Sequence, residues 1–371
     1  MTAQRERIVV AMSGGVDSAV AAARLVDQGF DVIGVTLHLW DYPDDPDARG
    51  GHGRCCAPED QYDAKRVADA LGFPHYTFDR RELFHEQVVQ PFVEGYLGGS
   101  TPSPCTTCNR TVKLLELFRI ADRLGARKLA TGHYARLVET DGTLRLARGV
   151  DVHKDQSYFL YATPTWQLQR LVFPLGDSHK AEVRAEALAR KLPGAAKGES
   201  QELCFVGQGA RAYVDFVEAR GKERLRPGPI VDAEGNVIGT HEGIHRFTIG
   251  QRKGLGVAVG KPAFVTRIAA DTGTVTLGDA EDLAASAVEL SELYLADNVA
   301  LPLSASARVR YRHEAVPADI SVRGNATVLR FRDDVRAATK GQIAVFYQGD
   351  QVLGGARIER VYGKAEGEPT P

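Results

Sequence analysis

Two sets of residues in this 371-residue chain are of types that do chemistry, and they lie far apart. The first is Ser13-Gly14-Gly15-Val16-Asp17-Ser18, directly behind the apolar run Ile8-Val9-Val10-Ala11-Met12. A strand that ends in a glycine-rich turn and enters a helix, here from Ser18 to about Gln28, aims backbone N–H groups and a helix N-terminus at one point. That convergence suits a phosphate. The turn lacks the lysine of the GxxxxGK[ST] loop, so it is a different device. The bland alternative is an ordinary tight turn of small residues. The second set is thiols. Cys105 and Cys108 fall in TPSPCTTCN (101–109), and Cys204 falls in ESQELCF (199–205). Both segments are polar and sit at element ends, with Cys108 just before a predicted helix whose N-terminus would favour a thiolate. A CxxC pair can instead be half of a zinc site, although no second pair stands at zinc-finger spacing. A lone cysteine such as Cys204 can be a small buried hydrophobe. Cys55 and Cys56 read either as core or as part of a loop after Gly50-Gly51.

These groups need a scaffold, and the first third of the chain supplies an alternation of strand and helix. Asp31-Val32-Ile33-Gly34-Val35-Thr36-Leu37 is a β-branched run. Ala64, Val67, Ala68 and Leu71 mark one helix face, which Gly72 stops. His75-Tyr76-Thr77-Phe78 reads as a strand, residues 109–124 as a helix, and Lys128-Leu129-Ala130-Thr131 as a further strand. This rhythm implies an α/β fold with a Rossmann-like parallel sheet covered on both faces. Ligands in such sheets bind at the carboxyl ends of the strands, where the 13–18 loop and Thr131-Gly132-His133 fall. Residues 163–198 read as helical. Beyond Cys204 the texture changes to short strands and glycine turns. From about 286 onward it has period two, as in Arg308-Val309-Arg310-Tyr311-Arg312 and Ile343-Ala344-Val345-Phe346-Tyr347, which suggests a small β-barrel.

Length sets an expectation of two or three domains. The boundaries read as 1–203 for an adenylation domain, 204–285 for a small β-rich central domain, 286–362 for a C-terminal barrel and 363–371 for a disordered tail. A content of 43% hydrophobic and 25% charged residues is that of a globular protein. No apolar stretch approaches membrane-spanning length, and MTAQRERIVV leads into the first strand without a signal region, so no membrane partner is expected. Five cysteines, an odd number, then point to a reducing cytoplasm. A net charge of −2 gives no global field for nucleic acid, so an RNA partner would be met by local basic patches.

The SGGxDS loop resembles that of enzymes that cleave ATP between the α and β phosphates. The whole chain is similar to the bacterial tRNA-specific 2-thiouridylase family. The matching segments are AMSGGVDS (11–18), CCAPEDQYDAKRVADALGFPHY (55–76), TPSPCTTCN (101–109), ATGHYAR (130–136) and KDQSYFL (154–160). They continue with ESQELCFV (199–206), FTIGQRKGLG (247–256), VRYRH (309–313) and GQIAVFY (341–347). The resemblance implies an enzyme, a tRNA-uridine 2-sulfurtransferase, that replaces the C2 oxygen of the wobble uridine, position 34, with sulfur. ATP would adenylate that oxygen, giving AMP and pyrophosphate. By the same resemblance Ala11, Met12, Ser13, Gly14, Gly15, Val16, Asp17, Ser18, Leu37 and Gly132 contact the nucleotide, with Asp17 helping to place Mg²⁺. Cys204 would carry a persulfide loaded by a sulfur-relay protein and ultimately a cysteine desulfurase, and either that persulfide or hydrogen sulfide released from it would attack C2. Cys108 would be the partner thiol, ending in a Cys108–Cys204 disulfide. Ser103, Pro104 and Cys105 match the target-base segment, and His133, Lys154, Asp155, Gln156, Tyr311, Arg312 and Gln342 match tRNA-contacting positions.

One departure stands out. Many members carry an acidic residue where this chain has Cys105, so a proton-transfer role does not carry over. The substitution also makes Cys105, Cys108 and Cys204 three candidate ligands of an iron–sulfur cluster. Two rival classes remain at the level of sequence: another ATP-pyrophosphatase ligase acting on a small metabolite, and a non-catalytic RNA- or metal-binding protein. Taken alone, Arg308, Arg310 and Arg312 read as one solvated strand face, and Arg246, Arg252 and Lys253 as a loop able to clamp phosphates.

Overall fold

A computed structural model describes residues 5–41, 58–198, 203–207, 209, 211–257 and 260–363. Cys55, Cys56, residues 199–202 and residues 364–371 lie outside the described residues, whereas Gly363, expected to begin the disordered tail, ends a strand. The chain divides into two compact units. One comprises Met1–Val89, Cys105–Val206 and Asp350–Val352; the other comprises Gln90–Pro104, Gly207–Gly349 and Leu353–Pro371.

The first unit is built on strands β1 (Arg7–Ala11), β2 (Asp31–His38), β3 (His75–Asp79) and β4 (Lys128–Ala130). They form a parallel sheet in the order β3-β2-β1-β4, and a two-residue strand, Leu171–Val172, pairs at the β4 edge. β1 is central, and Ile8, Val9 and Val10 are wholly buried, as a strand covered on both faces must be. Helix α1 (Val16–Asp27) leads from β1 to β2, and α2 (Pro58–Leu71) precedes β3. Ala19, Val20, Ala21, Ala22 and Ala23 are all buried, so α1 is enclosed around its circumference by small side chains.

Two features of this unit depart from the sequence reading. The stretch 163–198 is not continuously helical. It is a single turn, Thr165–Leu168, then the edge strand Leu171–Val172, then a helix, Lys180–Ala189. A two-residue strand has no periodicity to detect. The unit also contains a hairpin, Ala135–Thr140 with Thr143–Arg148, beyond the expected strand–helix alternation; Asp141 (φ 51°) and Gly142 (φ 70°) form its turn. Asp-Gly is the strongest short signal for such a turn, because both central residues need positive φ.

In the second unit a four-stranded sheet runs in the order Phe264–Ala269, Thr274–Gly278, Gly228–Val231, Val237–His241 over Ile230, Phe247, Val265 and Val275. Six further strands close a barrel. They follow the order Ala284–Leu295, Ala326–Arg336, Val316–Arg323, Leu303–Arg308, Ile343–Gln348, Gln351–Gly363, and the last pairs back on the first. Closure removes the exposed edges. Its interior holds Val288, Ile320, Leu329, Phe346 and Ile358. The expected strand over 308–312 stops at Arg308, and residues 310–313 turn, with the His313 N–H donating to the Arg310 carbonyl at 3.1 Å. Among the described residues no helix is long and apolar enough to cross a membrane.

Candidate active site

β1 delivers the glycine-rich turn to the carboxyl edge of the sheet. There the Met12 N–H donates to the Val35 carbonyl at 2.8 Å. Thr36 Oγ1 donates to the Met12 carbonyl at 2.8 Å and accepts a hydrogen bond from His75 Nε2–H, also at 2.8 Å. Burial lowers the His75 pKa, with the Lys65 charge adding to the effect, so this ring stays neutral. The loop is braced from within. The Ser13 N–H donates to Ser18 Oγ at 3.2 Å, Ser18 Oγ donates to the Gly15 carbonyl at 2.9 Å, and the Gly15 N–H donates to Ser13 Oγ at 3.4 Å. Gly14 has φ +73°, and a Cβ there would stand 2.1 Å from the Asp60 carbonyl oxygen of α2. Only glycine fits this position.

Asp17, in the first turn of α1, is gripped from outside the loop. Lys180 Nζ lies 2.8 Å from each of its carboxylate oxygens, and Tyr134 Oη donates to Asp17 Oδ1 at 2.9 Å. Lys180 is the first residue of the helix Lys180–Ala189, and its N–H donates to Asp151 Oδ2 at 2.9 Å. That helix is fastened to α1 by Arg24, whose Nε and Nη2 donate to Glu186 Oε2 at 3.0 and 2.7 Å. Burial opposes the charge of Glu186, but the hydrogen bonds and charge of Arg24 and Arg190 outweigh it and hold its pKa below the usual range. The Lys180 side chain is only 13% exposed, so its ammonium is fixed beside the loop. The sequence contains no local sign of this contact, since 163 residues separate the partners.

A second lysine secures the segment that leads to Cys204. Lys197 Nζ is 3.0 Å from Asp60 Oδ1 and also pairs with Asp63; both carboxylates are on α2 beside Gly14. Cys204 itself is half-buried in a turn that the Val206 N–H closes on the Leu203 carbonyl at 3.2 Å. Its neighbour Phe205 is buried edge-on against Trp40, just past the carboxyl end of β2, and Phe84, with centroids 6.2 and 5.6 Å apart. Cys204 is therefore anchored at the same sheet edge as the loop.

Cys108 is buried and Cys105 half-buried. The expectation that Cys108 directly precedes a helix needs correction. A helix already begins at Pro104 and runs through Cys108, continuing as a wider turn over Asn109–Lys113 and then as Leu114–Arg123. Proline is well suited to a first helical position, and the N-terminal field falls nearer Cys105 than Cys108. Among the described residues no group of three His, Cys, Asp or Glu side chains is placed to hold a metal, and Cys105, Cys108 and Cys204 form none.

Of the remaining nucleotide candidates, Leu37 is buried in β2, and Gly132, beyond β4, abuts the backbone of Asp17 and Ser18. His133 is pushed down to about 3 by burial, with the Lys113 charge adding to the effect. Its Nδ1 is 2.8 Å from Thr131 Oγ1, so it meets any ligand as a neutral ring. In the 154–156 stretch Lys154 is half-buried, while Asp155 is buried and accepts the N–H groups of Gly149 (3.3 Å) and Ser157 (3.0 Å). Gln156 Oε1 accepts the Tyr134 N–H at 3.1 Å.

In the barrel unit Arg312 is exposed and Tyr311 half-exposed. Arg308 Nε braces the His313 carbonyl at 2.9 Å, and Arg310 Nη2 reaches the Ile249 carbonyl at 3.2 Å and Thr339. The three arginines therefore do different jobs and do not form one solvated face. Arg246 is committed to Glu218 at 2.7 Å, while Arg252 and Lys253 are exposed. Ser103 is half-buried and Pro104 buried, and Gln342 bonds to the backbone just ahead of them.

A parallel sheet with a phosphate-type loop at its carboxyl edge, followed by two β-rich modules, defines a nucleotide-binding α/β enzyme with appended barrels. Family models agree on this division. Residues 6–208 match a tRNA methyl transferase HUP domain, 214–279 a tRNA methyl transferase PRC-barrel domain, and 288–358 an aminomethyltransferase beta-barrel domain. The chain is 59% identical over 359 residues to the tRNA-specific 2-thiouridylase MnmA of Sorangium cellulosum, covering 95% of this chain and 92% of that protein. The MnmA proteins of Heliobacterium modesticaldum (45% identity, 96% and 93% covered) and Moorella thermoacetica (46%, 95% and 99%) match over the same length. The chain belongs to the tRNA-specific 2-thiouridylase family, a family of tRNA sulfurtransferases.

Proposed function

We propose that this protein thiolates C2 of the wobble uridine of tRNA in the cytoplasm, in two steps carried by two sets of residues. In the first, the uracil O2 attacks the α-phosphorus of ATP and pyrophosphate leaves. The 13–18 loop receives the phosphates on its N–H groups, and Lys180 brings to them the ammonium that the loop's own sequence lacks. Asp17, an oxygen donor beside the loop, is the residue suited to hold Mg²⁺, which when bound would neutralise phosphate charge. Lys180 would then share the Asp17 carboxylate with the ion, and its ammonium would be available to the phosphates.

In the second step the terminal sulfur of a Cys204 persulfide, loaded by a relay protein fed by a cysteine desulfurase, attacks C2. The Cys108 thiolate attacks Cys204 Sγ, the S–S bond breaks toward the uridine sulfur, and AMP leaves from C2. The two cysteines are thereby oxidised to a disulfide by the sulfur they lose, and an external thiol reduces them. An iron–sulfur cluster does not suit the placement of Cys105, Cys108 and Cys204, so the reading runs through thiols.

The observation that carries the proposal is the anchoring of Cys204, through Phe205, at the carboxyl end of β2, the edge that also bears the loop. An activating group and a sulfur carrier sharing one edge suit a reaction that needs both on one base. Conversion of ATP to AMP and pyrophosphate should depend on added tRNA. Equal conversion without tRNA, or with a small metabolite in its place, would refute the assignment.

A further inference from the structure

Gln342 immediately precedes the barrel strand Ile343–Gln348, yet its side chain turns to another part of its own unit. Its Nε2 donates to the Thr101 carbonyl at 2.8 Å, with the Pro102 carbonyl at 3.5 Å. From the same turn the Lys340 carbonyl accepts the Thr101 N–H at 2.9 Å. Gly341 lies between them at φ +89°, and a Cβ there would come within 3.1 Å of Ser100 Cβ and of the Thr101 backbone. The turn is itself fixed to the barrel, because the Gly341 N–H donates to the Ile358 carbonyl and the Ile358 N–H to the Gln342 carbonyl, both at 2.8 Å. Thr101 is thus held at its N–H by Lys340 and at its carbonyl by Gln342, two residues of one turn fixed to the barrel wall.

The gripped residues run directly into Ser103-Pro104-Cys105. Pro102 and Pro104 fix their own φ and restrict Thr101 and Ser103 to extended conformations, so orientation imposed at Thr101 is transmitted down the segment. We propose that Gln342 is a positioning residue, which acts on the target base by aiming residues 103–105 through Thr101 and not by binding tRNA itself. This rests on the reading that residues 103–105 face the base.

Gln342→Glu keeps the side-chain length and removes the donor. Gly341→Ala crowds the same clamp while altering no side chain able to read RNA. In the full-length protein both should speed amide exchange at Thr101 at least tenfold. Both should lower kcat for thiolation at least tenfold while KM for tRNA stays within twofold. A raised KM with unchanged kcat in Gln342→Glu would overturn the proposal in favour of direct contact. So would full turnover in Gly341→Ala. Should Gly341→Ala fail to fold, Gln342→Glu and Gln342→Met carry the same comparison. Ser103→Ala and Cys105→Ala separate the layers. Intact turnover in those two variants removes the base-facing reading, whereas their loss beside fully active clamp variants removes only the role of Gln342.

Discussion

The ammonium of Lys180 is equidistant, at 2.8 Å, from both oxygens of Asp17, and Tyr134 completes the grip on that carboxylate. This contact binds the start of one helix to the first turn of another and places a positive charge where the loop has none. Lys180→Ala should lower kcat/KM for ATP by roughly a hundredfold, about 2.7 kcal/mol, with tRNA affinity unchanged. Lys180→Arg should recover part of the loss. Steady-state pyrophosphate release against ATP concentration gives the answer, and an unchanged constant in Lys180→Ala would remove the lysine from the site.

Gly14 tests the loop in a different way. Its positive φ and the 2.1 Å approach to the Asp60 carbonyl leave no room for a methyl group. Gly14→Ala should cost at least about 2 kcal/mol in stability or push the loop off α2. Thermal unfolding and ATP binding should fall together. A fully stable Gly14→Ala protein that binds ATP normally would contradict the packing.

His133 gives a pH signature. Its folded pKa, about 3, lies below the 6.5 of the free side chain. Below pH 6.5 the unfolded chain takes up a proton that the native ring refuses. The stability linked to this histidine is therefore present in full above pH 6.5 and is lost as pH falls toward 3. His133→Gln should flatten the pH dependence of unfolding between pH 6 and 4. In the wild type, NMR should show a neutral ring at pH 6. A ring that titrates near 6.5 would contradict the burial.

Much of the site was legible because its signals are local. The Ser-Gly-Gly turn behind an apolar run announces itself within six residues, and the alternation around β1 and β2 reports a buried parallel sheet. What escaped depends on contacts distant in sequence or on very short elements. Lys180 and Tyr134 join Asp17 only after the sheet has folded. Leu171–Val172 is too short for a period, whereas the Asp141-Gly142 turn is itself a local sign of a hairpin. The helix around Cys108 starts earlier than its polar lead-in suggests, because Pro104 itself occupies the first helical position. Asp155, matched by resemblance to a tRNA-contacting position, also has a structural duty that its residue type does not announce, since its Oδ1 accepts the N–H groups of Gly149 and Ser157.

The two cysteines should separate by what they leave behind. Cys108→Ser cannot resolve the persulfide, so single-turnover reactions should accumulate tRNA joined to Cys204 through sulfur, at a product yield reduced at least a hundredfold. Mass spectrometry of the quenched protein detects the adduct. Normal product without Cys108 would exclude the disulfide route.

On the proposed route, activation at the 13–18 loop and sulfur transfer at Cys204 are separable steps on one sheet edge. Pyrophosphate and 2-thiouridine measured in the same reactions, for the wild type and for Cys204→Ser, test it most directly. In Cys204→Ser, tRNA-dependent pyrophosphate release should stay within about threefold of wild type, with no 2-thiouridine formed. Full thiolation by Cys204→Ser would contradict it.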